Sequence, residues 1–461
     1  MKSLEKAEGL KILLSFTLII LFISCEDYLE VDFPQDQLTG NEVFNNEATA
    51  TAVLTDMYAK LRDNTLLTGT QGLSYYMGLY ADELDYYGSV GNDAFNFYNH
   101  TILPTNNSIG SIWNRSYNLI YSSNSLIEGV SNSTSLTEDE KQNLLGEGYF
   151  IRGFVHYYLL QLFGDIPYIK TTDYEINNQV KRMTADKVYQ NIIEDLVHAR
   201  DLLSQEYLTG ERIRPNKGSA SALLARVYLY NGQYSKATME SSLILENNKY
   251  SLVSNLDDVF LKNSASTIWQ LKPQNGSTTK EGFTFIIPTA PPVDVALRPA
   301  FVDSFEIGDN RRSNWVGEVA DGTGTYYFPF KYKQRDETGS SLEYSIVFRL
   351  AEQYLIRAEA RAFENNLVGA KRDLNIIRNR AGLSDTDAST KTDILNAIQK
   401  ERKFELFTEH GMRWFDLKRT GTANNILSPI KPGWKVTDVL FPLPENELLI
   451  NQNLQPQNPG Y

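Results

Sequence analysis

Ala220, Leu223, Leu224, Val227 and Tyr228 repeat at the i, i+3, i+4, i+7, i+8 spacing that puts every apolar side chain on one face of a helix. Asn231-Gly232 interrupts the pattern, and Tyr234, Ala237, Ser241, Ile244 and Leu245 start a second helix. The same grammar returns with Leu350, Tyr354, Ala358 and Ala362, a turn at Asn365-Asn366, then Leu367, Ala370, Leu374 and Ile377. A looser pair spans Leu144 to Phe163 and Val188 to Leu203, and a single helix is predicted near Ala48 to Leu61. One helical hairpin cannot cover its own apolar stripe, so repeated hairpins stack into a solenoid of tetratricopeptide type. The expected fold class is mainly α, a helical-hairpin scaffold with long irregular loops and a few short strands.

Two stretches break the rhythm. Thr65 to Ser108 reads as an irregular region in which Gly, Asn, Asp and Ser alternate with Tyr75, Tyr76, Tyr80, Tyr86, Tyr87, Phe95, Phe97 and Tyr98. Tyr250 to Tyr344 is rich in Gly, Pro, Thr and aromatic residues, with strand-like runs at Thr267–Leu271 and Phe283–Ile287. Long loops carried on a rigid scaffold are where binding residues concentrate.

The longest apolar run has neither period. Ile12 to Ile23 is unbroken except for Ser15 and Thr17, follows Lys2, Lys6 and Lys11, and ends at Ser24-Cys25 before the acidic Glu26-Asp27. A charged start, a short apolar run and a small residue before the cut describe a secretory signal peptide over 1–24, too short for a membrane span. Cys25, the only cysteine of the chain, then becomes the acyl acceptor of a bacterial lipoprotein, anchored to a membrane by lipid. Phe22, where leucine is usual, and Glu5 and Glu8 in the leader depart from the usual pattern. Glu26 to about Gln37 reads as a short polar tether.

Composition narrows the class further. With a single cysteine there is no internal disulfide, so stability must come from a core, which 461 residues can supply. The net charge of −13 becomes −14 once a leader with three lysines and two glutamates is removed, which argues against nucleic acid as a partner. There are 27 tyrosines against 5 tryptophans, many of them in polar surroundings.

Catalytic signatures are sparse. His100, His156, His198 and His410 are scattered without metal-ligand spacing, and His156 and His198 read as packing or surface residues on helices. No phosphate loop, dinucleotide fingerprint or nucleophile elbow occurs, and Gly322 and Gly324 read as a turn. No metal or cofactor is expected. Glu401, Glu405 and Glu409 at i, i+4, i+8, interleaved with Arg402, Arg413 and Arg419, read as an ion-pair network. Asp82, Glu83 and Asp85 lie among the aromatic loops, where carboxylates can accept hydrogen bonds from sugar hydroxyls; a solvated acidic turn is the plainer alternative. An aromatic ring offers a flat apolar face to the C–H face of a sugar, and a tyrosine hydroxyl adds a hydrogen bond at its rim. The candidate glycan-binding residues are therefore Asp82, Asp85, Tyr86, Tyr87, Phe95, Phe97 and Tyr98, with Phe283, Phe285 and Trp315 of the later insertion as a second place to look. Trp113, Trp269 and Trp414 read as core.

Several segments together resemble the SusD/RagB family of outer-membrane nutrient-binding lipoproteins. They are Gly146-Glu-Gly-Tyr-Phe-Ile-Arg-Gly153 through Phe163-Gly-Asp-Ile-Pro-Tyr168, Arg214-Pro-Asn-Lys217 through Leu223-Leu-Ala-Arg-Val-Tyr-Leu-Tyr230, and Leu374-Asn-Ile-Ile-Arg-Asn-Arg-Ala-Gly-Leu383. Glu401-Arg-Lys-Phe-Glu-Leu406, Gly411-Met-Arg-Trp-Phe-Asp-Leu-Lys-Arg419, Phe441-Pro-Leu-Pro444 and Gln457-Asn-Pro-Gly-Tyr461 complete the likeness, which runs from Cys25 to the last residue. Gly148 and Gly153 stand where that family favours alanine, each costing the helix up to ~1 kcal/mol in propensity.

The resemblance implies a non-enzymatic, lipid-anchored protein facing the cell exterior. Such a protein captures oligosaccharide or polysaccharide and delivers it to a TonB-dependent outer-membrane transporter of SusC type. It implies a SusD-like N-terminal part over 25–200 and a RagB/SusD C-terminal part over 201–461, joined in one body. Taken without it, the helical pairs alone also fit an adaptor for protein or peptide, and the carboxylates of the aromatic loop fit a surface glycosidase.

Overall fold

The structure is a computed structural model and describes residues 40–63, 67, 68 and 70–461. Cys25, the leader and the tether lie outside the described residues. Among those described, no helix is long and apolar enough to cross a membrane.

The expected hairpins are present. Helices α1 (Glu47–Asp63), α2 (Leu73–Tyr80), α3 (Asp93–Asn99) and α4 (Asn107–Asn132) lead into α5 (Glu138–Phe163), which pairs with α6 (Ala185–Leu202). Then α7 (Lys217–Tyr230) pairs with α8 (Tyr234–Leu245), and α9 (Leu350–Phe363) with α10 (Leu367–Arg380); α11 (Lys391–Glu405) and α12 (Met412–Arg419) follow. The three-residue turns at Asn231–Gln233 and Glu364–Asn366 leave no room for anything but an antiparallel return. Stacking of successive hairpins is visible in Tyr234 of α8 lying on Phe363 of α9, ring centroids 4.1 Å apart and 6° from parallel.

Helix α5 is the centre of the scaffold. Thr137 and Glu140 close a reciprocal capping box at its start, satisfying two otherwise orphaned N–H groups. Beyond Leu144 nearly every residue is buried, so α5 is wrapped by neighbours on all sides. This explains its two glycines. A Cβ on Gly148 would sit 2.9 Å from Ile127 of α4, and one on Gly153 would sit 3.0 Å from Leu196 of α6. The propensity lost in α5 is exchanged for close approach of two flanking helices.

Buried charge joins the helices pairwise. Arg152 of α5 forks onto Asp195 of α6 at 2.7 Å, Arg226 of α7 onto Glu352 of α9 at 2.6 and 2.7 Å, and Arg357 of α9 onto Asp373 of α10 at 2.8 and 2.9 Å. Bidentate geometry of this kind fixes orientation as well as distance. The cluster expected around Glu401, Glu405 and Glu409 exists with different partners and a different backbone. Helix α11 stops at Glu405, and left-handed residues at Thr408, His410 and Gly411 turn the chain back. That turn brings Glu409 to Lys331 and Arg349, while Glu405 meets Arg311, Arg349 and Arg380. The anticipated arginines point elsewhere: Arg402 and Arg419 bind Asp416, and Arg413 binds Asp82.

The insertion between α8 and α9 supplies most of the sheet. A four-stranded antiparallel sheet runs in the order β1 (Leu84–Tyr86), β3 (Val295–Leu297), β5 (Thr325–Pro329), β4 (Val316–Ala320). The remaining pair, β2 (Thr267–Leu271) and β6 (Ser345–Arg349), sets Trp269 opposite Phe348, and both rings pack on Phe150 and Phe154 of α5. The strand expected at Thr267–Leu271 is therefore present. The one expected at Phe283–Ile287 is instead a short helix, Lys280–Phe285, because Thr279 Oγ1 caps it by accepting from Gly282 N at 3.1 Å. The 65–108 region likewise holds α2 and α3 rather than irregular chain.

Candidate functional site

The β1 strand positions the sequence-predicted residues. Its register pairs Asp85 with Ala296 and Tyr86 with Val295, and Tyr87 extends the ladder by donating its N–H to Asp294 O at 2.7 Å. Helix α3 then folds back over the strand, started by Asn92, whose side chain accepts from Phe95 N at 2.9 Å and donates to Tyr86 Oη at 2.5 Å. This brings Tyr86, Tyr87, Phe95 and Tyr98 together. Tyr86 lies 6.4 Å from both Phe95 and Tyr98 between ring centroids, and Tyr326 of β5 meets Tyr87 edge-on at 5.7 Å. Tyr87 is 41% exposed, and Tyr86, Phe95, Tyr98 and Tyr326 are half-buried. The rings form a face that is held from beneath and open above.

Asp85 sits at the rim of this face. It forms an ion pair with Arg298 at 3.1 Å and accepts a hydrogen bond from Tyr98 Oη at 3.0 Å, so its charge is matched and the tyrosine is held in place. Lys431 Nζ lies 3.8 Å over the Tyr98 ring and donates to Leu79 O at 2.6 Å. Burial, helped by Arg298, pulls that ammonium down to about 7.

Two clefts flank it and share Thr70. One, of about 310 Å³, runs along Phe283, Ile286, Pro292, Asp294 and Arg335. The other, of about 330 Å³, is lined by Asp63, Tyr76, Asp93, Ser108 and Arg115 among others. Tyr75 joins them to the face by donating to Asp294 at 2.7 Å. Phe283 is 51% exposed in the first cleft, with Arg335 5.5 Å above its ring.

Four predicted contacts are corrected. Phe97 is fully buried, stacked on Tyr76 at 4.3 Å and wedged against Tyr80 and Phe441, because the helical turn of α3 points it inward while Tyr98 points out. Phe285 is buried as the inward residue of its capped helix. Trp315 is fully buried, its indole N–H donated to Leu256 O at 3.0 Å and its ring among Lys331, Arg349 and Arg380. Asp82 is clamped by Arg413 at 2.7 and 2.8 Å; burial raises its carboxyl, but Arg413 and Lys403 outweigh that and hold it below the usual range. Glu83 beside it is buried beneath Thr408 N, which donates to it at 3.2 Å, and burial with the neighbouring Asp82 pushes it up to about 8. Trp113, Trp269 and Trp414 are core, as expected.

Sequence reasoning missed Tyr326, Arg298, Asp294 and Lys431, which come from distant segments. Only the Tyr326-Tyr327 pair beside the Asp321–Gly324 turn carried a visible aromatic signal.

Residues 27–229 match a family model described as "Starch-binding associating with outer membrane", and residues 311–461 match the model of the SusD family. SusD-like protein P2 of Formosa agariphila is 26% identical over 507 aligned residues, covering 96% of this chain and 98% of that protein. Among solved structures, a SusD superfamily protein from Bacteroides vulgatus superposes with a TM-score of 0.80 at 23% identity, over 90% of this chain and 99% of that one. A laminarin-binding SusD-like protein superposes at 0.76 with 25% identity, over 90% and 100%. The chain belongs to the SusD/RagB family, whose members are carbohydrate-binding proteins associated with the outer membrane.

Proposed function

We propose that this member of the SusD/RagB family captures a neutral oligosaccharide or polysaccharide at the cell surface. It would pass the glycan to a partner TonB-dependent transporter while held to the outer membrane through an acylated Cys25. The observation that carries the binding role is the half-exposed ring face of Tyr86, Tyr87, Tyr98 and Tyr326, fixed by β1 and its register with β3. Stacking needs flat rings that do not move on binding, and backbone pairing supplies that stiffness. Asp85 and Arg298 at the rim offer an acceptor and donors for hydroxyl groups. The pairing of Asp85 with Arg298 leaves no lone charge at the rim of the rings, which suits an uncharged sugar, as do the starch of the family description and the laminarin bound by the structural neighbour.

A glycosidase reading finds little support in the same residues. Asp82 is neutralised by Arg413 and Glu83 is buried, so neither carboxyl stands free beside the rings. Affinity electrophoresis against soluble starch, laminarin, xylan and galactomannan, with reducing ends assayed in parallel, tests the proposal. Retention by at least one polysaccharide without product release, weakened about thirtyfold by Tyr87→Ala, is the expected result. Product release, or unchanged retention in both Tyr87→Ala and Tyr98→Ala, would refute it.

A further inference from the structure

On α4, Trp113, Tyr117 and Tyr121 fall at i, i+4 and i+8, and so line one side of the helix. Their exposure rises along the stripe, from 3% at Trp113 through half-buried Tyr117 to 54% at Tyr121. The stripe forms the wall of a cleft of about 590 Å³, closed by Pro167 and Ile169, by Asn177 to Val180, and by Glu447 to Leu454. Its lining shares no residue with the Tyr86 face or the two clefts beside it.

The chemistry of the lining is specific. Trp113 and Tyr117 lie 4.8 Å apart at 47°, giving a bent aromatic wall rather than a flat stack. The polar groups are mostly amides, Asn114, Asn118, Asn177, Asn178 and Asn451, with Glu447 the sole ionisable carboxylate and no lysine or arginine. Asn177 donates Nδ2 to Thr171 O at 2.8 Å, but its buried Oδ1 has no hydrogen-bond partner. A buried acceptor without a donor is costly, so this amide is held against its own hydrogen-bonding interest at the edge of the cleft. Anionic ligands lack a cation here, and a purely apolar ligand would strand the amides. Rings beside planar amides suit a molecule with alternating C–H faces and hydroxyls.

We propose that this cleft is a second binding site for a neutral oligosaccharide, independent of the Tyr86, Tyr87 and Tyr98 face. Tyr121 and Asn118 are exposed, so Tyr121→Ala and Asn118→Ala should leave the melting temperature unchanged. The probes are soluble starch, laminarin, xylan and galactomannan in affinity gels, run on wild type, Tyr87→Ala/Tyr98→Ala, and each of these with the α4 substitutions added. The double variant should keep residual retention, and adding Tyr121→Ala should weaken it about tenfold further. Binding lost with Tyr121→Ala but not with Tyr87→Ala/Tyr98→Ala would uphold this cleft and refute the face. Retention unchanged within about twofold in both α4 variants, for every polysaccharide, would overturn the cleft and leave the face untouched. Retention of no polysaccharide by wild type would overturn it as well. So would an α4 variant that binds sugar normally but no longer co-purifies with a membrane β-barrel, which would make the cleft a protein-docking surface.

Discussion

Tyr158 on α5 and Tyr98 on α3 each bond a charged partner through the hydroxyl, yet one is lost in the interior and the other stands half in solvent. Tyr158 accepts from Arg226 at 2.9 Å and is surrounded by Phe154, Tyr157 and Phe415. Tyr98 donates to Asp85 on one edge and has Lys431 on one face. The difference lies in the elements and not in the residues. Helix α5 is enclosed by α4, α6 and the β2–β6 pair, so the rings it carries must be packed. Helix α3 is seven residues long and packs on one side, so alternate rings face in and out. The scaffold spends its aromatic side chains on cohesion, and the sheet-borne face keeps them available.

The contrast is broken most severely at the buried charges. Glu405→Gln would leave Arg311, Arg349 and Arg380 without their shared carboxylate, and loss of one partner from a buried network costs about 3–5 kcal/mol. Urea denaturation should show that loss, with glycan retention falling only in proportion to unfolded protein. Next comes a neighbour test on α3. Phe97→Ala should cost about 3 kcal/mol as a cavity beside Tyr76, Tyr80 and Phe441, whereas Tyr98→Ala should cost about 1 kcal/mol or less. If thermal unfolding ranks the two the other way, the inward and outward assignment of α3 is wrong.

The smallest effect concerns pH. Glu83 is raised to about 8 in the folded chain, so in the range above the ordinary glutamate value the folded state holds a proton that the unfolded state has released. Its contribution is therefore complete at acid pH and lost as pH rises through about 8. Glu83→Gln removes that slope. Relative to wild type, the variant should gain about 1–2 kcal/mol between about pH 6 and pH 8, read from melting curves at the two values.

How much of this was legible beforehand follows the same division. The hairpins could be read from periodicity because a helix with one buried side writes that side into its sequence; the turn at Asn231-Gly232 and the pair around Asn365 fell where expected. Helix α2 could not, since all of Leu73 to Tyr80 is buried and no period survives. Thr279 and Asn92 cap their helices in the structure, but one capping residue amid Gly-rich and Thr-rich surroundings does not predict a helix by itself. Trp315 misled because its sequence neighbours are polar while its spatial neighbours are Phe260 and the buried arginines. Asp85, Tyr86, Tyr87, Phe95 and Tyr98 could be grouped because they are close in sequence. Arg298, Tyr326 and Lys431 reach them through strand pairing and a return of the chain that no local pattern encodes.

That return has a consequence for the order in which the molecule can be finished. Phe441 N donates to Leu162 O at 2.9 Å, Asn458 Nδ2 bridges Phe163 O at 2.8 Å and Phe441 O at 2.7 Å, and Tyr80 Oη donates to Asp438 O at 2.8 Å. The C-terminal ends of α2 and α5 are thus sealed by residues that leave the ribosome much later than the helices themselves. A chain arrested before Asp438 would leave Tyr80, Phe97 and Phe163 facing water, however well its hairpins had formed. Such an arrangement delays closure of these two helix ends until the segment from Asp438 to Asn458 has been made.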